Sequence, residues 1–143
     1  MNLSMTKMGY EEVYSLLLSQ SEDFPYPIEF VVQYAKKLSD NAEFMTAYND
    51  KNLLCGIIAY YANRLPMAYI SHLWVNAASR GKGICGMMLQ ALNESLAKKG
   101  FEKIRLETRK KNASAINAYM KNGYEIISSN DDKYLMECVI QND

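Results

Sequence analysis

The sequence predicts a single mixed α/β domain: a central, mostly antiparallel sheet with one parallel pair, flanked by helices on both faces. Three observations predict it. The chain has 143 residues, about one domain on a prior of ~150 residues each. Its middle third is a series of short apolar strand-like runs separated by turn residues. A strand, helix, strand succession over residues 67–108 then needs a crossover, which makes those two strands parallel.

The first forty residues read helical. Val13, Leu16 and Leu17 recur at helical spacing and the pattern ends near Ser19-Gln20-Ser21. Phe24-Pro25-Tyr26-Pro27 cannot be helix interior, because two prolines remove donors and fix φ. Pro27 suits a first helical position, and Ile28, Val31, Ala35 and Leu38 form a second amphipathic face ended by Ser39-Asp40-Asn41. Residues 42–48, 53–62 and 67–75 read as three strands joined by Asn49-Asp50-Lys51-Asn52 and Asn63-Arg64-Leu65-Pro66, an antiparallel meander. Leu53 to Tyr60 is almost unbroken apolar, so that strand is covered on both faces and central. Helical spacing returns from Gly83 to Lys98-Lys99, with Gly100 placed for a left-handed helix stop. Residues 101–108 read as a strand, 112–121 as a helix closed by Asn122-Gly123, and 124–127 and 133–139 as two last strands.

Composition excludes several classes. Sixteen basic and sixteen acidic residues cancel, which argues against a nucleic-acid partner, because polyanion affinity rests on uncompensated basic charge. No apolar run is long enough to span a membrane, and the first residues show no secretory pattern. Three widely spaced cysteines and one histidine fit neither a disulfide framework nor a zinc site, so no metal is expected. A cytoplasmic enzyme or binding domain remains.

The most informative stretch is Val75-Asn76-Ala77-Ala78-Ser79-Arg80-Gly81-Lys82-Gly83-Ile84-Cys85-Gly86. It joins a strand to a helix. Its glycines let main-chain amides turn toward a ligand, and the helix that follows offers unpaired N–H groups and a positive dipole end. A bound diphosphate is the natural expectation; the plain alternative is a tight turn with no ligand. Gly81-x-Gly83-x-x-Gly86 also fits the dinucleotide fingerprint, with Glu107 about twenty residues on, so an NAD(P)-dependent oxidoreductase is a rival. Against it, three antiparallel strands precede the turn, and the 57 residues after Gly86 are too few for the remaining parallel units.

Arg80-x-x-Gly83-x-Cys85 resembles the Q/R-x-x-G-x-G/A motif of the GCN5-related N-acetyltransferases. Leu73-Trp74-Val75 matches the family's L-x-V strand end. Leu106-Glu107-Thr108 and Asn112-x-x-Ala115-Ile116-x-x-Tyr119-Met120-Lys121-Asn122-Gly123-Tyr124 match two motifs further on, so the resemblance covers about residues 42–139. Cys85 departs from the usual Gly or Ala. The resemblance implies one acetyltransferase domain over residues 1–143, with an acetyl-CoA-binding core at 42–139 and a helical acceptor-side segment at 1–41. Acetyl-CoA is then a co-substrate. The main chain of Gly81, Lys82, Gly83, Ile84, Cys85 and Gly86, with Arg80, would hold its diphosphate. Leu73, Trp74 and Val75 would hold the pantetheine arm and thioester, and Asn112 would touch the arm or simply cap its helix.

Transfer to an amine also needs an acid and a base. The resemblance implies Tyr119 as the acid for the leaving thiolate, on one helix face with Asn112 and Ile116. It implies Glu107 as the base, matching a position in ribosomal-protein alanine acetyltransferases; the plain alternative pairs Glu107 with Arg105 or Arg109. His72, the sole histidine, has a suitable unperturbed pKa, but in a regular strand it alternates away from Tyr69 and Ser71. Lys103, Arg105, Arg109, Lys110 and Lys111 would either meet the 3′-phosphate or be a solvated strand end. Cys85, at a helix start, is expected to have a lowered thiol pKa. Phe24-Pro25-Tyr26-Pro27 would form a rim over the acceptor, and Glu22-Asp23 would favour a cationic or neutral amine. The acceptor is expected to be a small-molecule amine such as an amino sugar, polyamine or antibiotic. The alternatives are a protein N-terminus or lysine, or a coenzyme A-binding module without turnover. The family resemblance also allows a homodimer.

Overall fold

The computed structural model describes residues 1–140. Its elements are β1 (Asn2–Thr6), α1 (Tyr10–Ser19), α2 (Ile28–Asn41), β2 (Glu43–Tyr48), β3 (Leu54–Tyr61), β4 (Met67–Val75), a short 3-10 turn (Ala77–Ser79), α3 (Ile84–Lys98), β5 (Lys103–Arg109), α4 (Ala113–Lys121), β6 (Tyr124–Asn130) and β7 (Lys133–Val139). Seven strands form one sheet in the order β1-β2-β3-β4-β5-β7-β6. Only β4 and β5 run parallel, as the crossover through α3 requires.

The first forty residues are not wholly helical, because β1 pairs antiparallel with β2, from Asn2 opposite Tyr48 to Thr6 opposite Phe44. Five mostly exposed residues carry too little alternation to announce a strand; the unpaired edge of β2 makes it one. Pro27 sits just before α2 at its N-cap rather than inside the helix. Residues 101–102 are not strand. The Phe101 N–H bonds to Leu96 O and the Gly100 N–H to Ala97 O, a Schellman closure with Gly100 at φ +88°. The last hairpin extends to Asn130, with Ile127 bulged out of register.

Helices cover both faces. Met88, Leu92 and Leu96 of α3 pack with Ile58, Ile104 and Leu106 on one side. Val13 and Leu17 of α1 and Val31, Ala35 and Leu38 of α2 pack with Ile57 and Ala59 on the other. β3 is buried on both faces from Cys55 to Tyr60, as its apolar run predicts. Cys55 and Cys138 are buried in the sheet. Gly56 lets α3 approach, since a Cβ there would lie 2.8 Å from Met88 Cε. No helix among the described residues is long and apolar enough to cross a membrane.

Candidate active site

The site begins where two strands part. β4 pairs with β5 only from Met67–Lys103 to Ile70–Leu106, yet β4 runs on to Val75 and β5 to Arg109. On their other side Leu73, Trp74 and Val75 stay paired with Ile58, Ile57 and Gly56 of β3. Their main-chain groups toward β5 therefore have no ladder partner among the described residues, an opening that an extended ligand arm can fill by hydrogen bonding like a strand. Leu73 and Val75 pack toward α3, and Trp74 toward α1 and α2.

The turn after β4 ends at this opening. Gly81 and Gly83 have φ +78° and +79°, and a Cβ at either would meet nothing within 4 Å. Their glycine identity thus answers to backbone conformation, not crowding. Gly83 is the N-cap of α3, no side chain caps the helix, and no acid lies in its first turn. The first intrahelical bond is Met87 N–H to Gly83 O at 3.0 Å, so the N–H groups of Ile84, Cys85 and Gly86 have no helical acceptor. These amides beside left-handed glycines form an anion-binding concavity. Asn76 steadies the turn by donating to Leu54 O and accepting from Ser79 N–H at 3.0 Å.

The expected donor residues divide by role. Lys82 is exposed, whereas the Ile84 side chain is buried in the core, leaving only its N–H for a ligand. Gly86 lies inside α3, where a Cβ would come 3.2 Å from Asn122 Oδ1. It lets α3 and the end of α4 approach, so the third glycine of the dinucleotide pattern has a packing reason. Cys85 departs from expectation: burial pushes its thiol up, outweighing the lowering expected at a helix start. Arg80 Nε donates to Val75 O at 2.8 Å, and its guanidinium also pairs with Asp23 at 2.9 Å. Asn112 caps α4, accepting the Ala115 N–H at 3.3 Å.

Tyr119 and Glu107 lie on opposite sides of the sheet. Tyr119 packs on the α3 side, its ring 6.0 Å from Tyr124. Burial, and then nearby Cys85, push its phenol above the usual range, so it holds its proton at neutral pH. Glu107 is exposed on the α2 side and accepts a hydrogen bond from Tyr69 Oη at 3.1 Å. Arg105 does not pair with it, because Arg105 Nε donates to Glu137 at 2.7 Å. Lys103 also reaches Glu137, and Lys110 lies over the Tyr134 ring, so three members of the basic cluster already have partners within the chain.

A β-bulge corrects the expectation for His72. Ile70 pairs with Tyr60 and His72 with Ala59, leaving Ser71 as the extra residue of β4. Ile70 therefore faces α3 while His72 faces α1 and α2, on the same side as Ser71, whose Oγ is 2.7 Å from Tyr34 Oη. His72 Nε2 lies 2.7 Å from Gln20 Oε1, and its ring is 4.6 Å from that of Phe24. Burial pulls its pKa down to about 4, so it is neutral at physiological pH. Beside it Phe24, Tyr26, Phe30 and Tyr34 line a pocket of about 10 Å³, room for roughly one water. Three contacts escape sequence reasoning: Tyr69–Glu107, Gln20–His72 and Asp23 with Trp74 and Arg80. The last two cross more than fifty residues, and no local spacing signals them.

Comparison with known proteins agrees with this geometry. The acetyltransferase (GNAT) family matches residues 10–124. A relative, GCN5-related N-acetyltransferase 6, chloroplastic, of Arabidopsis thaliana, is 33% identical over 91 residues. That match covers 59% of this chain and 31% of the relative, so the chain spans about a third of that protein. PaiA N-acetyltransferase of Thermoplasma acidophilum, solved with coenzyme A, superposes with TM-score 0.74 at 19% identity, covering 97% of this chain and 99% of that one. The ribosomal-protein-S18-alanine N-acetyltransferase of Escherichia coli superposes with TM-score 0.77 at 16% identity, covering 99% and 96%. At such identities these structures speak for the fold alone, and the family match over residues 10–124 establishes that the chain belongs to the acetyltransferase (GNAT) family.

Proposed function

We propose that this chain is an acetyl-CoA-dependent N-acetyltransferase that moves an acetyl group to a primary amine by direct attack on the thioester. The observation that carries the reading is the parting of β4 from β5 beside the uncapped start of α3, with a phenol on one side of the sheet and a carboxylate on the other. The amides of Gly83 to Gly86 hold the diphosphate, and the free edge of Leu73 to Val75 holds the arm and polarises the thioester carbonyl. Glu107, oriented by Tyr69, takes a proton from the acceptor's ammonium; the free amine then attacks the thioester carbonyl and its second surplus proton leaves to solvent. As the C–N bond forms and the C–S bond breaks, Tyr119 gives its proton to the leaving thiolate. Burial keeps the phenol protonated at neutral pH and makes it a weaker acid than a free tyrosine, so the proton moves only as negative charge develops on the leaving sulfur. No covalent enzyme intermediate is needed, so Cys85 has no chemical role.

The acceptor in this reading is a small amine. The pocket beside His72 has room for only about one water, but the rings of Tyr26 and Phe30 on its rim are exposed, and aromatic faces of this kind attract an ammonium group. The second reading, a protein N-terminus, draws on the match of Leu106-Glu107-Thr108 to the ribosomal-protein acetyltransferases. An NAD(P) enzyme fits poorly, because its fingerprint belongs to a parallel sheet and Gly86 here serves helix packing. The test is a thermal shift against acetyl-CoA and NADPH, followed by free-thiol release with small amines and N-terminal peptides. At ~100 times its Kd the true donor adds about 2.7 kcal/mol. Stabilisation by NADPH alone refutes the reading, and coenzyme binding without thiol release from any amine makes the chain a binding module.

A further inference from the structure

We propose that Asp23 is a positioning residue for the transfer, fastening the acceptor-side connection between α1 and α2 to the donor-side end of β4. The proposal rests on the acetyl-transfer reading above. One carboxylate oxygen, Asp23 Oδ2, accepts from Trp74 Nε1 at 2.9 Å and pairs with the Arg80 guanidinium at 2.9 Å. Trp74 belongs to the free strand edge and Arg80 opens the diphosphate turn. Arg80 also donates to Val75 O at 2.8 Å, so the guanidinium bridges the acceptor-side connection and the end of β4.

What Asp23 fastens is the wall of the aromatic pocket. Phe24 is the next residue; its N–H bonds to Gln20 O at 2.9 Å and its ring lies against His72. Tyr26 follows, its N–H bonded to Phe24 O at 2.8 Å. The Tyr26 ring lies 4.6 Å from that of Phe30 of α2, tilted by 39°. Residues 20–26 therefore have two anchors on β4, Gln20 on His72 and Asp23 on Trp74. With both in place, the rim is set relative to the strand edge that holds the thioester. Small displacements between reacting partners are costly in rate. Asp23 touches neither partner of the reaction and acts by placing Phe24 and Tyr26.

Trp74 is the only tryptophan in the chain, so its fluorescence reads the contact directly. The experiment compares the whole chain with Asp23→Ala and Asp23→Asn. Acrylamide quenching of Trp74, coenzyme A affinity by calorimetry, and amine KM and kcat are measured on each. In Asp23→Ala quenching rises. Amine KM rises roughly two- to fivefold, the range for a part-exposed charged pair, while coenzyme A affinity stays within about twofold. Asp23→Asn, which keeps an acceptor for Trp74, falls between. Unchanged quenching overturns the proposal, as does raised quenching with unchanged amine KM, or an equal loss of amine and coenzyme affinity. Failure of the unmodified chain to turn over any amine refutes instead the transfer reading on which the proposal rests.

Discussion

Replacing Gly83 by alanine separates backbone geometry from packing in the donor turn. Gly83 has φ +79°, and a Cβ added there would meet no atom within 4 Å, so the substitution brings no clash and the whole cost is conformational. Holding a non-glycine residue in the left-handed region costs about 1–2 kcal/mol. For a domain of this size that lowers the melting temperature by about 2–8 °C. If the turn relaxes instead, the amides before α3 swing away, and loss of one charge-assisted hydrogen bond weakens coenzyme A by roughly 10- to 100-fold. Gly86→Ala is the control. Alanine gains about 1 kcal/mol of helix propensity, offset by crowding against Asn122, which its bond to Ala118 O holds in place. Its coenzyme affinity should therefore match the unmodified chain. Calorimetric titration and a thermal melt on each variant decide the matter. A Gly83→Ala that loses neither melting temperature nor coenzyme A affinity refutes the donor-turn reasoning, and an equal loss of affinity in Gly86→Ala shows that the bare Cα at Gly86 serves the ligand rather than helix packing.

Three further outcomes are expected. Tyr119→Phe lowers kcat by about 10²-fold or more with coenzyme A affinity retained; an unchanged kcat removes its acid role. Glu107→Gln lowers kcat by about 10²-fold or more with coenzyme A affinity retained, and an unchanged kcat assigns the proton acceptor elsewhere. His72 makes stability depend on pH. Its folded pKa, about 4, lies below its ordinary value of 6.5, so above pH 6.5 both states are neutral and nothing is lost. Between pH 6.5 and 4 the unfolded chain takes up the proton and the folded one does not, so stability falls by about 3 kcal/mol in all. Asp23 is held below the ordinary carboxylate range by its Trp74 and Arg80 hydrogen bonds, so its share is lost only below about pH 4. Urea titrations of His72→Asn should lack the upper of these two losses.

Local patterns foretell much of this chain. The central position of β3 follows from its unbroken apolar run, the stop of α3 from Gly100, and the donor turn from Gly81 and Gly83 between a strand and an uncapped helix. Each depends on residues within a few positions of one another, where propensity and steric limits act directly. The same patterns mislead where a partner far along the chain decides. β1 is a strand because β2 offers it an edge, and Glu107 meets Tyr69 rather than Arg105 because Glu137 claims the guanidinium from the next strand.

The amino-acid sequence alone determined the order of elements from α1 onward, the parallel crossover and the glycine turn, because short-range backbone sterics and apolar periodicity are written residue by residue. Tertiary structure alone decided the face of His72, through the single extra residue Ser71 in β4. It also decided the parting of β4 from β5 and the meeting of Asp23 with Trp74 and Arg80. Register, bulges and ion-pair choice are settled by competition among distant groups for the same partner, and that competition exists only once the sheet has closed.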